Sequence, residues 1–279
     1  MAGKSENCKG CPNANIRASA KPDEDIPLIT EKLNHIKSII AIMPGKVGVG
    51  KSTNSFNIAK KLSSRKIKTL ILDMDLSGPS IPRLTNSMDE LIFINESGFK
   101  PIQIDDFLYS ISLGYLENSD DSIVYSSTVK NFILKKILKY CDFSNIEAII
   151  IDTSPNIPDE HLALATYIKP SGEIFVTTPQ KLSMDDVRRQ ISFCKKSGKN
   201  ILGLIENMKG FECSNCKSIN KIYNDTAIEN QCKEENILYL GFLPLKSSYA
   251  KNSDSGIQIE DPFLSVAVNM IESKMNHNT

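Results

Sequence analysis

The chain contains 279 residues, 41% of them hydrophobic, which is enough to bury a full core in one α/β domain. Its 33 basic and 33 acidic residues balance, so no net charge indicates a nucleic-acid partner or an acidic membrane surface. The sequence has no apolar run of membrane-spanning length and no N-terminal signal or lipidation pattern, so we expect a cytoplasmic protein that binds neither nucleic acid nor membrane.

Residues 1–35 are predicted to form a flexible N-terminal tail, because they are polar, contain three prolines and lack a sustained apolar period. Residues 36–279 are predicted to form the folded domain. Within this domain, continuous apolar runs are typical of strands buried on both faces of a parallel sheet. These runs are 37–43, 67–75, 147–154, 172–179, 200–207 and 237–245.

Helical patterns lie between these runs, at 54–64, 128–141, 185–196 and 262–274. In the pattern at 128–141, we expect one buried face formed by Val129, Phe132, Ile133, Ile137 and Cys141. The alternation of strands and helices predicts an α/β fold with a doubly wound, mainly parallel sheet.

The segment GKVGVGKST fits the P-loop pattern G-x-x-x-x-G-K-[ST] and lies between a predicted strand and a predicted helix. Such a loop directs successive backbone N–H groups at phosphate oxygens, while its lysine adds positive charge and its hydroxyl reaches Mg²⁺. The sequence therefore predicts a nucleotide site here, with Ser52 as a Mg²⁺ ligand. The predicted nucleotide-binding residues of the loop are Gly45, Lys46, Val47, Gly48, Val49, Gly50, Lys51, Ser52 and Thr53.

Acidic residues follow two of the predicted strands, at the edge of the sheet where ligands bind in doubly wound folds. Asp152 is the candidate carboxylate for Mg²⁺. Asp73 and Asp75 precede a Gly-Pro loop, and Asp75 is better placed to orient an attacking water because it lies further into the loop. The alternative is that these acids only cap strands or turns.

ATP is the expected nucleotide, because the N-K-x-D base-reading motif of many GTPases is absent from the sequence. Asn207, at the end of its strand, is a candidate for contacting the base of the nucleotide. A structural role for Asn207 in a turn is an equal alternative.

Two C-x-x-C pairs occur in the sequence, Cys8 with Cys11 and Cys213 with Cys216. The second pair lies in a polar excursion at about 208–222. Two thiolates can bind one side of a metal ion or iron-sulfur cluster but do not complete a four-ligand site, whereas a symmetric dimer would supply four. A redox pair and a non-ligating turn remain alternatives. The other cysteines are interpreted as buried bystanders: Cys141, Cys194 and Cys232.

From residue 36 almost to its end, the chain resembles a known family, the Mrp-type P-loop ATPases. This MinD-like (SIMIBI) group includes the eukaryotic cytosolic iron-sulfur cluster scaffold proteins. The N-terminal CKGCPNAN resembles the cluster segment of the tail-bearing scaffold subunit, with two of its four cysteines present. The resemblance is carried by GKVGVGKST, LDMDLSGPSIPRL, IIIDTSPNIPDEHL, VTTPQKLSMDDVRRQISFCKK, ILGLIENMKGFECSNC and GFLPLKSSYAKNSDSG.

The resemblance implies a homodimer, or a heteromer with a related Mrp-type subunit, that assembles a labile 4Fe-4S cluster across Cys213 and Cys216. It implies transfer of this cluster to apo-proteins or a targeting complex during cytosolic iron-sulfur protein maturation. It also implies that ATP and Mg²⁺ are cofactors and that the activity is a weak, dimer-dependent ATPase.

The family pattern also implies residue roles. Lys51 would bind the β- and γ-phosphates, Ser52 would hold Mg²⁺ and Asp152 would support the metal. The implied catalytic residues are Lys46, which reaches across the dimer to the partner's phosphates, and Asp75, which positions water.

Departures from the family pattern bear on the ATPase rate more than on ATP binding, and they leave this rate open. Val47 replaces a glycine of the family loop, and SPNIPDE replaces a P-P-G-T-x-D-E-like switch segment. For Cys8 and Cys11, a second cluster shared between subunits and a disordered thiol pair are both open. Alternative functions are a nucleotide-switched MinD/ParA-like binding module, a zinc-bridged P-loop dimer without cluster transfer, and a metal-delivery GTPase.

Overall fold

The computed structural model describes residues 23–75, 78–92, 98–115, 127–154, 166–223 and 228–277. The predictions for Cys8 and Cys11 lie outside these ranges, as does most of the predicted switch segment. Among the described residues, no helix is both long and apolar enough to cross a membrane.

The described strands form one sheet in the order β3-β4-β2-β5-β1-β6-β7-β8, and β9 also pairs with β7. All pairings are parallel except β3 with β4 and β7 with β8, which are short and antiparallel. The predicted doubly wound, mainly parallel sheet is therefore confirmed. The strands are β1 Ser38–Pro44, β2 Thr69–Asp73, β3 Ile102–Gln103, β4 Leu108–Ile111, β5 Ala148–Asp152, β6 Gly172–Thr177, β7 Ile201–Glu212, β8 Ile219–Asn220 and β9 Tyr239–Leu245.

Helices cover both faces of this sheet. Side chains alternate across a strand, so successive residues of β1 pack into the hydrophobic cores on opposite faces of the sheet. Ile39 and Ala41 belong to one core cluster, and Ile40 and Ile42 belong to the other. The helices are α1 Asp25–Leu33, α2 Lys51–Ser64, α3 Ile81–Leu84, α4 Ser127–Tyr140, α5 Lys181–Lys196, α6 Ile228–Glu234, α7 Ser247–Asp254 and α8 Pro262–His277.

The buried face predicted for α4 is partly wrong. Val129 and Phe132 are 41% and 59% exposed, whereas Leu134 and Leu138 are buried together with Ile137. The helix carries two overlapping apolar stripes, and periodicity alone does not show which of them meets the sheet.

The predicted tail boundary at residue 36 also differs from the structure. Helix α1 buries Ile29 and Leu33 in the same core cluster as α4 and α5. Lys135 of α4 pairs with Asp23 and Asp25 at 2.7 Å each, which fixes the start of α1 on the domain. Two buried positions in a nine-residue helix give too little periodicity for detection from the sequence.

Candidate nucleotide and thiol sites

The P-loop connects β1 to α2, and its glycines are required for two different reasons, backbone conformation and close packing. Gly48 and Gly50 adopt positive φ angles of 81° and 84°, which favour glycine. A Cβ on Gly50 would lie 2.1 Å from Nδ2 of Asn207, and one on Gly45 would lie 2.7 Å from Cγ2 of Val187. The loop is therefore packed between the middle of β7 and helix α5.

Val47 causes no backbone strain in this loop. It is absent from the non-glycine residues with positive φ, and its side chain is 71% exposed at the mouth of the cleft. The valine therefore adds bulk where another molecule would approach, and it does not distort the loop itself.

Lys51 is buried at the first turn of α2 and faces two carboxylates. Its Nζ lies 2.8 Å from Oδ2 of Asp152 and 3.8 Å from Oδ2 of Asp75, and it donates to Oγ of Ser52 at 3.2 Å. The structure thus brings together four side chains that the sequence predicted separately. A phosphate group entering the loop would compete with these carboxylates for the lysine.

Asp152 ends β5 and is fully buried. Ser55, one helical turn after Lys51, donates its hydroxyl to Oδ1 of Asp152 at 2.7 Å and orients the carboxylate. Sequence reasoning missed Ser55, although its i+4 spacing from Lys51 is a usable signal. Hydroxyl and carboxylate oxygens are the ligands that Mg²⁺ prefers, so Ser52 and Asp152 fit the predicted metal site.

Asp73 ends β2 and holds the turn that carries Asp75. Its carboxylate accepts hydrogen bonds from Oγ of Ser112 at 2.9 Å and from the backbone N–H of Asp75 at 3.0 Å. Burial, and after it the negative charge of Asp152, raise the pKa of Asp73 to about 7. Asp73 is therefore a buried support, while Asp75 is the carboxylate that borders the cleft.

The cleft beside the loop has a volume of about 660 Å³. Its walls come from the P-loop and the start of α2 on one side, and from residues 78–80 and α3 on the other. This volume falls within the range of small-molecule sites, so the cleft can accommodate a nucleotide. The predicted site residues that line it are Lys46, Val47, Gly48, Gly50, Lys51, Ser52, Thr53 and Asp75.

Lys46 and Asn207 are both engaged with neighbouring protein groups. Nζ of Lys46 donates to Oε1 of Gln180 at 2.6 Å, and Nδ2 of Asn207 donates to the carbonyl of Val49 at 2.8 Å. Asn207 lies within β7 and not at a strand end or in a turn, as the sequence had suggested, and from there it supports the P-loop. Its predicted contact with the nucleotide base stays a prediction.

Cys213 and Cys216 lie at the tip of the hairpin formed by β7 and β8. The backbone N–H of Cys213 donates to the carbonyl of Ser218 at 2.9 Å, and the N–H of Lys217 donates to the carbonyl of Cys213 at 3.0 Å. These bonds close the turn and leave Cys213 half-buried and Cys216 exposed. The pair is thus presented to an incoming molecule.

The thiol of Cys216 is prepared for ligand binding. Its Sγ lies 2.9 Å from Oγ of Ser218, and the hydrogen bonds of Ser218, followed by that of Cys213, lower the pKa of Cys216 to about 7. A thiolate is the form that binds metal, so Cys216 is available near neutral pH.

Within one chain, the thiol pair would supply only two of the four ligands that the predicted metal site needs. Throughout the described ranges, no three His, Cys, Asp or Glu side chains are grouped so as to hold a metal ion. The other cysteines of the described ranges are buried, and loss of solvation raises the pKa of each, which supports their interpretation as bystanders. They are Cys141, Cys194 and Cys232.

Comparisons with known proteins agree with this architecture. The chain is 39% identical over 271 residues to the cytosolic Fe-S cluster assembly factor NBP35 of Kluyveromyces lactis, covering 94% of this chain and 83% of that protein. It superposes with a TM-score of 0.74 on a nucleotide-binding protein from Archaeoglobus fulgidus in complex with ADP, at 27% identity, covering 86% of this chain and 95% of that one.

More distant structures show the fold alone. The cell division ATPase MinD of Pyrococcus furiosus gives a TM-score of 0.56 at 17% identity, covering 88% of this chain and 100% of that one. A plasmid partition protein of Borrelia burgdorferi bound to AMPPNP gives 0.58 at 20% identity, covering 87% and 99%. The family model that matches residues 35–276 is that of ParA, described as the NUBPL iron-transfer P-loop NTPases. The resemblance inferred from the sequence is thereby confirmed, and the chain belongs to the NUBPL iron-transfer P-loop NTPase family.

Proposed function

We propose that this protein is an ATP-dependent scaffold that assembles a labile 4Fe-4S cluster between two subunits and transfers it to apo-proteins. The observation that carries the proposal is the hairpin tip on which a P-loop NTPase presents two accessible thiols, one of them with a pKa of about 7. Two such tips related by a two-fold axis supply the four thiolates that a 4Fe-4S cluster takes.

The nucleotide half of the function rests on the charges in the cleft. In this proposal Lys51 leaves its carboxylate partners and binds the β- and γ-phosphates, while Ser52 and Asp152 hold Mg²⁺. Bound Mg²⁺ would help to neutralise the charge that spreads over the phosphate oxygens during transfer. Asp75, held through its backbone by Asp73, orients the attacking water. Lys46 completes the site of the partner subunit, which makes hydrolysis weak in the monomer.

Strand β7 connects the nucleotide site to the hairpin thiols. Asn207 contacts the P-loop near the middle of this strand, and Cys213 follows directly after its end. A change in the loop on nucleotide binding is therefore adjacent to the element that carries the cluster ligands.

The family and the relatives support the iron-sulfur assignment. The family description names iron transfer, and the K. lactis relative is named a cytosolic Fe-S cluster assembly factor. We accordingly propose a cytosolic location, a homodimer or a heteromer with a related subunit, and recipients that are apo iron-sulfur proteins or a targeting complex. A second cluster at Cys8 and Cys11 belongs to the same proposal.

Anaerobic reconstitution with ferrous iron and sulfide tests the proposal. The hairpin thiols of the unmodified protein should bind about two iron and two sulfide ions per chain, which corresponds to one bridging 4Fe-4S cluster per dimer, in addition to any cluster at Cys8 and Cys11. The double variant Cys213→Ser/Cys216→Ser should lose this bridging content and the visible absorption that goes with it. Ser214→Ala, in the same turn but without a lost thiol, should retain both.

The Cys8→Ser/Cys11→Ser variant separates the two thiol pairs, since it should keep the bridging cluster. Iron and sulfide content that is unchanged in Cys213→Ser/Cys216→Ser would rule out the hairpin as the cluster site. Zinc alone in anaerobically purified protein, with the same dependence on these thiols, would instead support a zinc-bridged dimer.

A further inference from the structure

Lys46 is held away from the carboxylates that engage Lys51. Its ammonium donates to the side-chain carbonyl of Gln180 at 2.6 Å, and within the part of the chain that the structure describes it forms no ion pair. Gln180 lies immediately before α5 and has an extended backbone with φ −94° and ψ 134°. The two lysines of the P-loop therefore have different partners, since Lys51 contacts carboxylates and Lys46 contacts a neutral amide.

Helix α5 also holds the start of the loop at two further points. Nε2 of Gln190 donates to the carbonyl of Pro44 at 2.8 Å, and Gly45 packs so closely on Val187 that a Cβ would not fit. The contact between Lys46 and Gln180 thus continues an existing interface between the loop and α5. The position of the Lys46 ammonium is set by this interface in the isolated chain.

The partner of Lys46 is neutral, and this has an energetic consequence. A hydrogen bond from an ammonium to an amide oxygen is weaker than one to a charged phosphate oxygen, so phosphate can replace Gln180. A carboxylate at this position would hold the lysine more firmly. The amide is therefore suited to a contact that must form and break.

We infer that Gln180 is a positioning residue that holds Lys46 on its own subunit until the triphosphate of a second subunit displaces it. This inference rests on the proposed function, in which Lys46 contacts the partner's nucleotide. The contact opposes dimerisation, because Lys46 must leave Gln180 before it can bridge the two subunits. Removing the amide therefore favours the nucleotide-bound dimer.

The first measurement examines the contact alone, in nucleotide-free protein. N-hydroxysuccinimide acetate modifies accessible lysine amines, and peptide mass spectrometry gives the rate at each lysine. Modification of Lys46 should be several-fold faster in Gln180→Ala and slower in Gln180→Glu. Lys51, held by Asp152, is the internal control, and Lys181→Ala, at the exposed start of the same helix, is the matched variant.

The second measurement examines how the contact between Lys46 and Gln180 affects dimerisation. Sedimentation velocity with AMPPNP and Mg²⁺ gives the dissociation constant of the dimer. Losing one hydrogen bond to a charged group corresponds to roughly tenfold in an equilibrium constant, and a homodimer contains two such contacts, so Gln180→Ala should lower the dimer dissociation constant about a hundredfold. Lys181→Ala should leave it unchanged. A purely structural role for Gln180 would weaken the dimer instead.

The outcomes separate this inference from the proposed function. A nucleotide-dependent dimer that forms in the unmodified protein but is unchanged or weaker in Gln180→Ala would overturn the inference alone. Equal modification of Lys46 in the unmodified protein and Gln180→Ala would do the same. A chain that forms no dimer with AMPPNP and Mg²⁺ would contradict the dimeric ATPase as well.

Discussion

Ser218 shows how one residue can set the chemistry of the thiol pair. Its carbonyl accepts the N–H of Cys213, and its hydroxyl lies 2.9 Å from the sulfur of Cys216. The first contact closes the turn, and the second stabilises negative charge on sulfur. The thiolate form of Cys216 is favoured for this reason, and because the residue is exposed, burial opposes the charged form only weakly.

Removing the Ser218 hydroxyl should therefore raise the pKa of Cys216. In the unmodified protein, alkylation of Cys216 by iodoacetamide should reach half its maximal rate near pH 7, because the thiolate is the reactive form. In Ser218→Ala the midpoint should move upward, toward the ordinary pKa of a cysteine. The measurement is the alkylation rate against pH by peptide mass spectrometry, in metal-free protein.

The single-cysteine variant Cys213→Ser is the control for assigning the alkylation midpoint to Cys216, because only one thiol of the turn then reacts. Its midpoint should rise less than that of Ser218→Ala, since Ser218 is the larger cause of the shift. Identical midpoints in Ser218→Ala and the unmodified protein would show that the hydroxyl does not stabilise the thiolate.

Among the elements, α1 was assigned to the tail from its sequence but belongs to the domain. Its contribution comes from two sources, the burial of Ile29 and Leu33 and the ion pairs of Asp23 and Asp25 with α4. These ion pairs are only partly buried and therefore contribute less than the apolar contacts. Burial of Ile29, which has no exposed surface, is the main stabilising contribution.

Ile29→Ala should therefore destabilise the whole domain by about 3 kcal/mol, the typical cost of deleting a fully buried aliphatic side chain. Leu28, the adjacent residue, is 49% exposed, so Leu28→Ala is the matched control and should cost less than about 0.5 kcal/mol. Urea unfolding followed by circular dichroism gives both values. Equal, small effects of the two substitutions would mean that α1 is not part of the cooperative unit.

The elements also show which parts of the fold a sequence can predict. The central parallel strands were located correctly because burial on both faces requires continuous apolar runs, as in β1 and β5. The P-loop was recognised because its constraints are local. The pair of Lys46 and Gln180 was missed, since 134 residues separate them and only the sheet topology brings them together. Asp75 was preferred to Asp73 for orienting water, but the support that buried Asp73 gives to the Asp75 turn was not predicted, because burial is not visible in the sequence.

At the scale of the whole molecule, both proposed sites are incomplete within one chain. The thiol pair supplies two of the four ligands that a cluster takes, and Lys46 faces its own helix α5 and not the carboxylates around Lys51. Strand β7 connects the two incomplete sites. Asn207 of this strand contacts the P-loop, and Cys213 of the hairpin follows directly after its end. A single association of two subunits would complete both sites at once.

Dilution should therefore suppress ATP hydrolysis. If the active species is a dimer, the turnover per chain should rise with protein concentration until the dimer is saturated, whereas a self-sufficient monomer would give a constant value. Steady-state phosphate release at saturating ATP and Mg²⁺, measured over a hundredfold range of protein concentration, distinguishes these cases. Asp75→Asn is the matched control: it should dimerise with ATP over the same range but hydrolyse it at least tenfold more slowly at every concentration, because the carboxylate that orients water is lost while Lys46 is retained. A turnover per chain that does not change with dilution, down to concentrations at which sedimentation shows a monomer, would place the complete ATPase site within one subunit.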